Sequence, residues 1–406
     1  MIIRQKPVDL TLGYPLEYDR NKIVFFDIET TGFSAETTYL YLIGCIYYED
    51  NAFHIIQWFS EGIHEEKELI RAFFEFIKNY EVLIHYNGSG FDIPYLIKKC
   101  FLLNLKYSFE DITSIDLYKN IFPYKKFLNL PNYKQKTIET FLKIKRKDIY
   151  GGGDLIEVYQ SYLGKKRYET LKNRHRNSLP NEGTNPKQIE DIHPTQKPSP
   201  YKFSQDKPMS IKMVPEVDEL LHLLLLHNED DLKGLVRICP ILSYTDLFEK
   251  PFHILEAGIE GDQLTISIQL RNPLPVPISY RIDRIYFNAQ DLQASLHIKV
   301  VEGVLKHFYE NYKDYYYLPA EDIAVHKSLA SFVDKDYREK AKPATCYTKK
   351  KGSFVPQFEP VIYPFFKQNY QDKISYLEVH TDFLLQEENI EQYVSHILNY
   401  LTTHKE

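Results

Sequence analysis

The stretch 23-IVFFDIETTGF-33 decides how this chain reads. Four apolar residues, Ile23 to Phe26, make a short run that belongs inside the protein, and two carboxylates, Asp27 and Glu29, follow at its end. Side chains two apart on a strand leave by the same face, so the pair projects together. Two carboxylates side by side repel unless a proton or a cation separates them. An isolated pair of this kind is also compatible with a solvated strand end. The meaning of Asp27 and Glu29 therefore depends on what the rest of the chain brings to them.

Outward from that stretch, "KIVFFDI", "YLYLIGCIYY" and "FHIIQWF" read as three strands joined by short polar turns, close enough to pair antiparallel. "EEKELIRAFFEFIKNY" follows with Leu69, Phe73, Phe76, Ile77 and Tyr80 at helical spacing. "VLIHYNGSGFDIPYLIKKC" is a short buried strand, a turn permitted by Gly88 and Gly90, and a helix with Asp92 near its start, where the helix dipole suits a negative charge. "ITSIDLY" is a fifth strand ending at Asp116, which suits a cap or strand-end hydrogen bond. The order βββαβαβα predicts an α/β fold: a five-stranded mixed sheet with helices on both faces.

"GGGDLIEVYQSYL" reads as a turn feeding a helix capped by Asp154, and from Lys165 to about Val214 the pattern gives way to a basic loop or insertion. Pro215 suits the first turn of the helix in "PEVDELLHLLLLHNEDDLKGLVRICPIL". There Asp231 stands four residues before Leu235, at the edge of the buried stripe, and His227 lies one turn before it on the same face. Asp230 falls in line with Lys233, Gly234 and Arg237, on the side that reaches water. A carboxylate and an imidazole facing inward need partners, because an unpaired buried charge costs several kcal/mol.

Past residue 247 the segments "LTISIQL", "ISYRIDRIYF" and "SLHIKVVEG" alternate as half-exposed strands. A helix is expected from about Glu321 to Val333, a basic hairpin tip at "CYTKKKGSF", and an amphipathic C-terminal helix with Ile390, Tyr393, Val394, Ile397, Leu398 and Leu401 on one face. The predicted organisation is an N-terminal arm (1–20), a first domain (21–246, with 165–214 inserted) and a smaller α+β domain (247–406).

The composition, 43% apolar and 26% charged, is that of a globular chain. There is no apolar run of membrane-spanning length and no signal-peptide pattern, so a cytoplasmic location is expected. Cys45, Cys100, Cys239 and Cys346 are far apart, which predicts reduced, mostly buried thiols and neither a zinc site nor a disulfide framework. The net charge is −6, yet residues 119–148 sum to +7 and residues 165–214 to +6. Locally, a polyanion is accommodated. In "YKKFLNLPNYKQKTIETFLKIKRKD", Lys125, Lys126, Lys134, Lys136 and Arg146 are candidates for phosphate contacts and Tyr124 or Tyr133 for base stacking.

The DxE after an apolar strand, the N-x-x-x-FD of "NGSGFD", and a later helix with a His just ahead of an Asp together resemble the DEDD, or DnaQ-like, 3′–5′ exonucleases of the ribonuclease H-like superfamily. "FFDIETTGF…YLIG", "YNGSGFDIPYL", "KTIE" and "HNEDDL" look more narrowly like the YprB-type bacterial ribonuclease H-like proteins. The resemblance covers about residues 20–245. It implies that Asp27, Glu29, Asp92 and Asp231 hold two Mg²⁺ or Mn²⁺ ions, hard cations suited to oxygen ligands. Asp27 would bridge both, Glu29 and Asp231 would complete one site, and Asp92 would support the other. His227 would take or orient the proton of the attacking water. The spacing of His227 to Asp231 is four, where the His-containing branch of the family has five. The implied activity is removal of nucleotides from single-stranded ends of DNA or RNA, with no obvious protein partner. Two other readings fit the same residues: a nucleic-acid-binding protein that no longer cuts, and a metal-dependent phosphodiesterase acting on short oligonucleotides.

Overall fold

A computed structural model of the chain describes residues 1–147, 152–177 and 216–404. Pro215 and the basic stretch from residue 178 onward lie outside the described residues. The first part of the chain builds a mixed sheet from β1 (Ile2–Val8), β2 (Ile23–Thr30), β3 (Leu40–Glu49), β4 (Ala52–Phe59), β5 (Val82–His85) and β6 (Thr113–Asp116), in the order β1-β4-β3-β2-β5-β6. β2, β3 and β4 pair antiparallel as the short turns require, while β5 and β6 add in parallel after helical crossovers.

The two faces of β2 go to different cores. Val24, Phe26 and Ile28 pack against α1 (Glu66–Ile77) and α2 (Asp92–Leu102). Ile23 and Phe25 pack against Leu232, Leu235 and Val236 of the long Val217–Arg237 helix. Helices thus cover both faces of a ribonuclease H-like sheet. The Gly152–Asn177 helix lies beside the Val217–Arg237 helix over Tyr41, Leu42 and Phe59.

The sheet has six strands, not five, because the N-terminal arm is itself a strand. β1 pairs with β4 from Ile2↔Phe59 to Val8↔Phe53. Its mostly exposed sequence IIRQKPV, with Arg, Lys and Pro, suits an edge. Residues 165–177 are helical rather than loop, and Asp154 sits inside the first turn of that helix, not at its cap.

Beyond the sheet, β7 (His253–Glu260), β8 (Gln263–Ile282) and β9 (Ile285–Lys299) form a long antiparallel meander; "LTISIQL" lies within β8 as expected, whereas "ISYRIDRIYF" spans the β8–β9 turn and "SLHIKVVEG" the break between β9 and the Val301–Phe308 strand. "TKKKGS" is the middle of the Tyr347–Gln357 strand, paired with Val301–Phe308, and not a hairpin tip. The helix expected near 321–333 is instead a short strand, Ile323–His326, followed by one helical turn, Lys327–Ala330. The C-terminal helix, Glu387–Thr403, buries the face expected of it.

Residue 247 falls inside the Ser243–Glu249 helix. The Tyr244 hydroxyl donates to the Val276 carbonyl at 2.7 Å, and Asp246 accepts from Tyr14 and Asn272 at 2.5 and 2.7 Å. One buried cluster runs from Ile23 and Phe25 through Leu242 and Leu247 to Phe287 and Leu401. All four cysteines are free and buried. Among the described residues no helix is long and apolar enough to cross a membrane.

Candidate active site

Asp27 and Glu29 continue the Ile23, Phe25 row of β2, so they emerge under the Val217–Arg237 helix. That helix brings Asn228, whose amide donates to Asp27 Oδ2 at 3.0 Å. Gln57 Nε2 holds Asn228 in turn, donating to its Oδ1 and to the Leu225 carbonyl, both at 2.9 Å. The approach depends on Gly44, which faces Asp27 across the β2–β3 ladder. A Cβ there would stand 2.0 Å from Asn228 Oδ1 and 2.6 Å from Leu232 Cδ1. Gly44→Ala is expected to destabilise the protein by about 1–3 kcal/mol, as overpacking does, and to push Asn228 off Asp27. Thermal unfolding measures this; an unchanged midpoint would mean that the helix can shift freely.

His227 and Asp231 lie one helical turn apart, with His227 Nε2 3.1 Å from Asp231 Oδ2 and 3.7 Å from Glu29 Oε1. Glu29, His227 and Asp231 each offer a ligand atom, all within 4.8 Å of one another. Burial pushes the Asp27 carboxyl well above the usual range, and Glu29, Asp231 and Asp92 push it further, against the Asn228 hydrogen bond. Asp92, the first residue of α2, is raised to about 7 by burial, opposed by backbone hydrogen bonds at Asp92 and Ile28. The structure therefore brings Glu29, His227 and Asp231 together, with Asp27 beside them on the cleft, and Asp92 acts on Asp27 electrostatically. Carboxylate oxygens beside one imidazole are a donor set that fits divalent cations of the Mg²⁺ or Mn²⁺ type.

Asp230 and Asp231 divide otherwise than the helical wheel predicts. Asp230 is buried, accepting the Lys147 N–H at 2.8 Å, whereas Asp231 lines the cleft. The segment after the Gln135–Phe141 helix folds over the side expected to reach water.

In the turn before α2, Asn87 rather than a glycine takes the left-handed conformation, at φ 57°. Asp116 caps the Leu117–Ile121 helix as expected, and also accepts the N–H groups of Asn87 and Ser89 at 2.8 and 3.2 Å. Beneath the turn His85 is buried, its ring bonded to Ser114 Oγ at 2.7 Å and accepting the Gly88 N–H at 3.1 Å. Burial lowers its pKa to about 4, from an ordinary 6.5. A neutral imidazole favoured by folding adds stability above pH 6.5 that is lost as pH falls through about 4, amounting to ~3 kcal/mol. The expected result is a wild-type protein more acid-sensitive than His85→Gln, read from denaturant midpoints at pH 7.5 and 4.5. Equal losses in both would refute it.

The carboxylates open into a cleft of about 700 Å³ that Tyr133, Lys134 and Lys136 also line. Its wall carries an aromatic row: Tyr86 to Tyr118 at 6.0 Å, Tyr118 to Phe122 at 5.2 Å and Phe122 to Tyr133 at 6.1 Å between centroids. Lys125 stands 4.5 Å over Phe122, and Lys126 donates to the His404 carbonyl. Tyr124 is buried with its hydroxyl on Glu249, which removes it from base stacking. Arg146 is not on an exposed path: it is held by Glu139 and Asp231. Asn228, Gln57 and Gly44, and Tyr86, Tyr118 and Phe122 of the aromatic wall, carry no pattern in the sequence that marks them; Tyr133 is expected from the basic, aromatic run.

Residues 24–175 match the family described as the RNase_H superfamily, and the sheet order and helix placement agree with a ribonuclease H-like fold. A DNA polymerase of Pyrococcus glycovorans is 28% identical over 183 residues, covering 38% of this chain and 23% of the polymerase. One from Thermococcus hydrothermalis is 35% identical over 104 residues, 23% of this chain and 6% of the polymerase. The chain thus spans less than a quarter of the length of these curated relatives. Among solved structures, the zinc-bound E. coli exonuclease I complex with single-stranded DNA aligns with a TM-score of 0.26 at 15% identity, over 38% of this chain and 42% of that one.

Proposed function

We propose that the protein is a two-metal-ion 3′–5′ exonuclease acting on single-stranded ends of DNA or RNA. The observation that carries this reading is the cluster of Glu29, His227 and Asp231 with Asp27 at the mouth of a basic, aromatic cleft, with Asp92 acting on Asp27 from the start of α2. When bound, two divalent cations would supply Lewis acidity for a water nucleophile and for the leaving 3′ oxygen. The chain's own groups do the rest. Lys134 and Lys136 meet the phosphate backbone, and the wall from Tyr86 to Tyr133 stacks terminal bases, a contact indifferent to sequence. The His227 imidazole, beside Asp231 and Glu29, takes or orients the water's proton. Asn228 keeps Asp27 aimed into the cleft.

We further propose that the six-stranded sheet, β1 included, and its helices up to about residue 242 form the catalytic unit, and that the chain from the Ser243–Glu249 helix onward is a second unit that buttresses it through the shared core. Cytoplasmic location belongs to the same reading.

The test is the purified chain with Mg²⁺ or Mn²⁺ on 5′-labelled single-stranded DNA and RNA. A ladder shortening from the 3′ end, absent in EDTA, is expected. Tight binding of every strand with no cleavage would instead establish a binding protein on a nuclease fold. Cleavage confined to dinucleotides would establish a short-oligonucleotide phosphodiesterase.

A further inference from the structure

Arg146 makes a strong ion pair to the cluster that the proposed chemistry leaves unused. Its side chain is 13% exposed, and Nη1 donates to both carboxylate oxygens of Glu139 at 3.0 Å. Nη2 donates to Asp231 Oδ1. Glu139, 1% exposed, also accepts Gln135 Nε2 at 2.9 Å, and the same nitrogen reaches the Asp231 carbonyl at 2.8 Å. A bridge from the Gln135–Phe141 helix to the Val217–Arg237 helix therefore ends on one oxygen of one acid. The other oxygen, Oδ2, is the one 3.1 Å from His227 Nε2.

The bridge requires space made for it. At Gly234, three residues after Asp231, a Cβ would stand 2.0 Å from Glu139 Oε1 and 2.9 Å from Gln135 Nε2. A buried carboxylate is thus seated against the helix backbone where any side chain would exclude it. Glu139 balances the guanidinium charge, so the pair brings little net positive charge to a site meant for cations. A guanidinium fork fixes direction as well as charge, which an ammonium cannot do.

We propose that Arg146 is a positioning residue for a divalent cation held by Glu29 and Asp231. It occupies Asp231 Oδ1 so that Oδ2 alone is left to face Glu29 and the His227 imidazole, and Glu139, admitted by Gly234, holds Arg146 in place. This rests on the reading of Glu29 and Asp231 as cation ligands. Groups that orient metal ligands from behind set affinity, and their loss typically costs about 10–100-fold.

Calorimetric Mn²⁺ titration of the full chain tests it, using wild type, Asp27→Ala, Arg146→Lys and the double variant Glu139→Gln with Arg146→Met. The double variant leaves no uncompensated buried charge at the bridge, and Arg146→Lys keeps the charge while losing the fork. Both are expected to bind Mn²⁺ about 10–100-fold more weakly in one of two classes of site, with melting temperatures in EDTA close to wild type. Unchanged or tighter Mn²⁺ binding in the double variant overturns the proposal, the tighter case making Arg146 a resident counter-cation. Wild-type affinity in Arg146→Lys overturns it too, since charge alone would then suffice. If wild type itself binds no Mn²⁺, the cation reading has failed with it. If wild type binds and Asp27→Ala does not, that reading stands whatever the Arg146 variants do.

Discussion

Asparagine in place of Asp27 is expected to abolish cation-dependent nucleolysis while making the cation-free protein more stable. The two effects have one cause. Desolvation first, and then the charges of Glu29, Asp231 and Asp92, hold the Asp27 carboxyl well above the ordinary range. Without a cation that repulsion opposes folding, and a neutral amide of the same size removes it. Asn228 donates to Asp27 Oδ2, and an asparagine oxygen can still accept that bond. The gain is read as a higher melting temperature in EDTA. With cations the sign reverses, because the oxygen proposed to bridge both ions is gone. A loss of several kcal/mol of transition-state stabilisation corresponds to about 10³-fold or more in rate. Asp230→Asn, which still offers an oxygen to Lys147 N–H, is expected to stay within about tenfold of wild type, as a structural acid should. Single-turnover cleavage and melting in EDTA, run side by side, decide the matter. A variant that is inactive but less stable in EDTA would point to a disrupted fold, and an active one would remove Asp27 from the chemistry.

The carboxylates were legible in the sequence because each sits where a local rule applies. The strand period aims Asp27 and Glu29 together, a turn and helix start place Asp92, and helical spacing couples His227 to Asp231. What orients them was not legible. Asn228 and Gln57 are ordinary polar residues until β4 and the Val217–Arg237 helix meet over Gly44. Arg146 looked like one more basic residue in a run of them; only the fold shows it turned inward to Glu139 and Asp231. Asp230 was misplaced for the same reason, since the helical wheel cannot know that Lys147 is laid across its polar side. Among the elements, β1 was missed because an edge strand has no apolar alternation to show, and its pairing with β4 is long-range. The helix expected at 321–333 failed because a turn and a four-residue strand share its spacing by chance. The long meander and the C-terminal helix succeeded because each buries one continuous face.

Manganese affinity is expected to rise at least tenfold for each pH unit up to about 7, and to flatten above it. In the cation-free protein Asp92 holds its proton until about 7, and Asp27 is pushed up as well. A cation must displace those protons, so each one coupled to binding contributes a tenfold dependence per unit below its pKa. The same shift fixes the sign for stability. A carboxyl whose folded pKa is raised stabilises the protein fully below its unfolded value of 3.8, and that stability is lost as pH rises through about 7. The total is ~4 kcal/mol. His85 works oppositely, losing stability as pH falls from 6.5 through about 4. Without cations the two nearly cancel over the acidic range, and wild type should show a flat stability profile there. Asp92→Asn removes one side of the balance, so this variant should be the acid-sensitive one. Saturating Mn²⁺ should do likewise to wild type, because it discharges the Asp92 proton and adds about 2.7 kcal/mol at a hundredfold excess over its dissociation constant. Unfolding midpoints from pH 4 to 8, with EDTA and with Mn²⁺, separate these terms. Manganese affinity that is level between pH 5.5 and 7.5 would show that no proton is displaced, and that Asp92 stands outside the cation site.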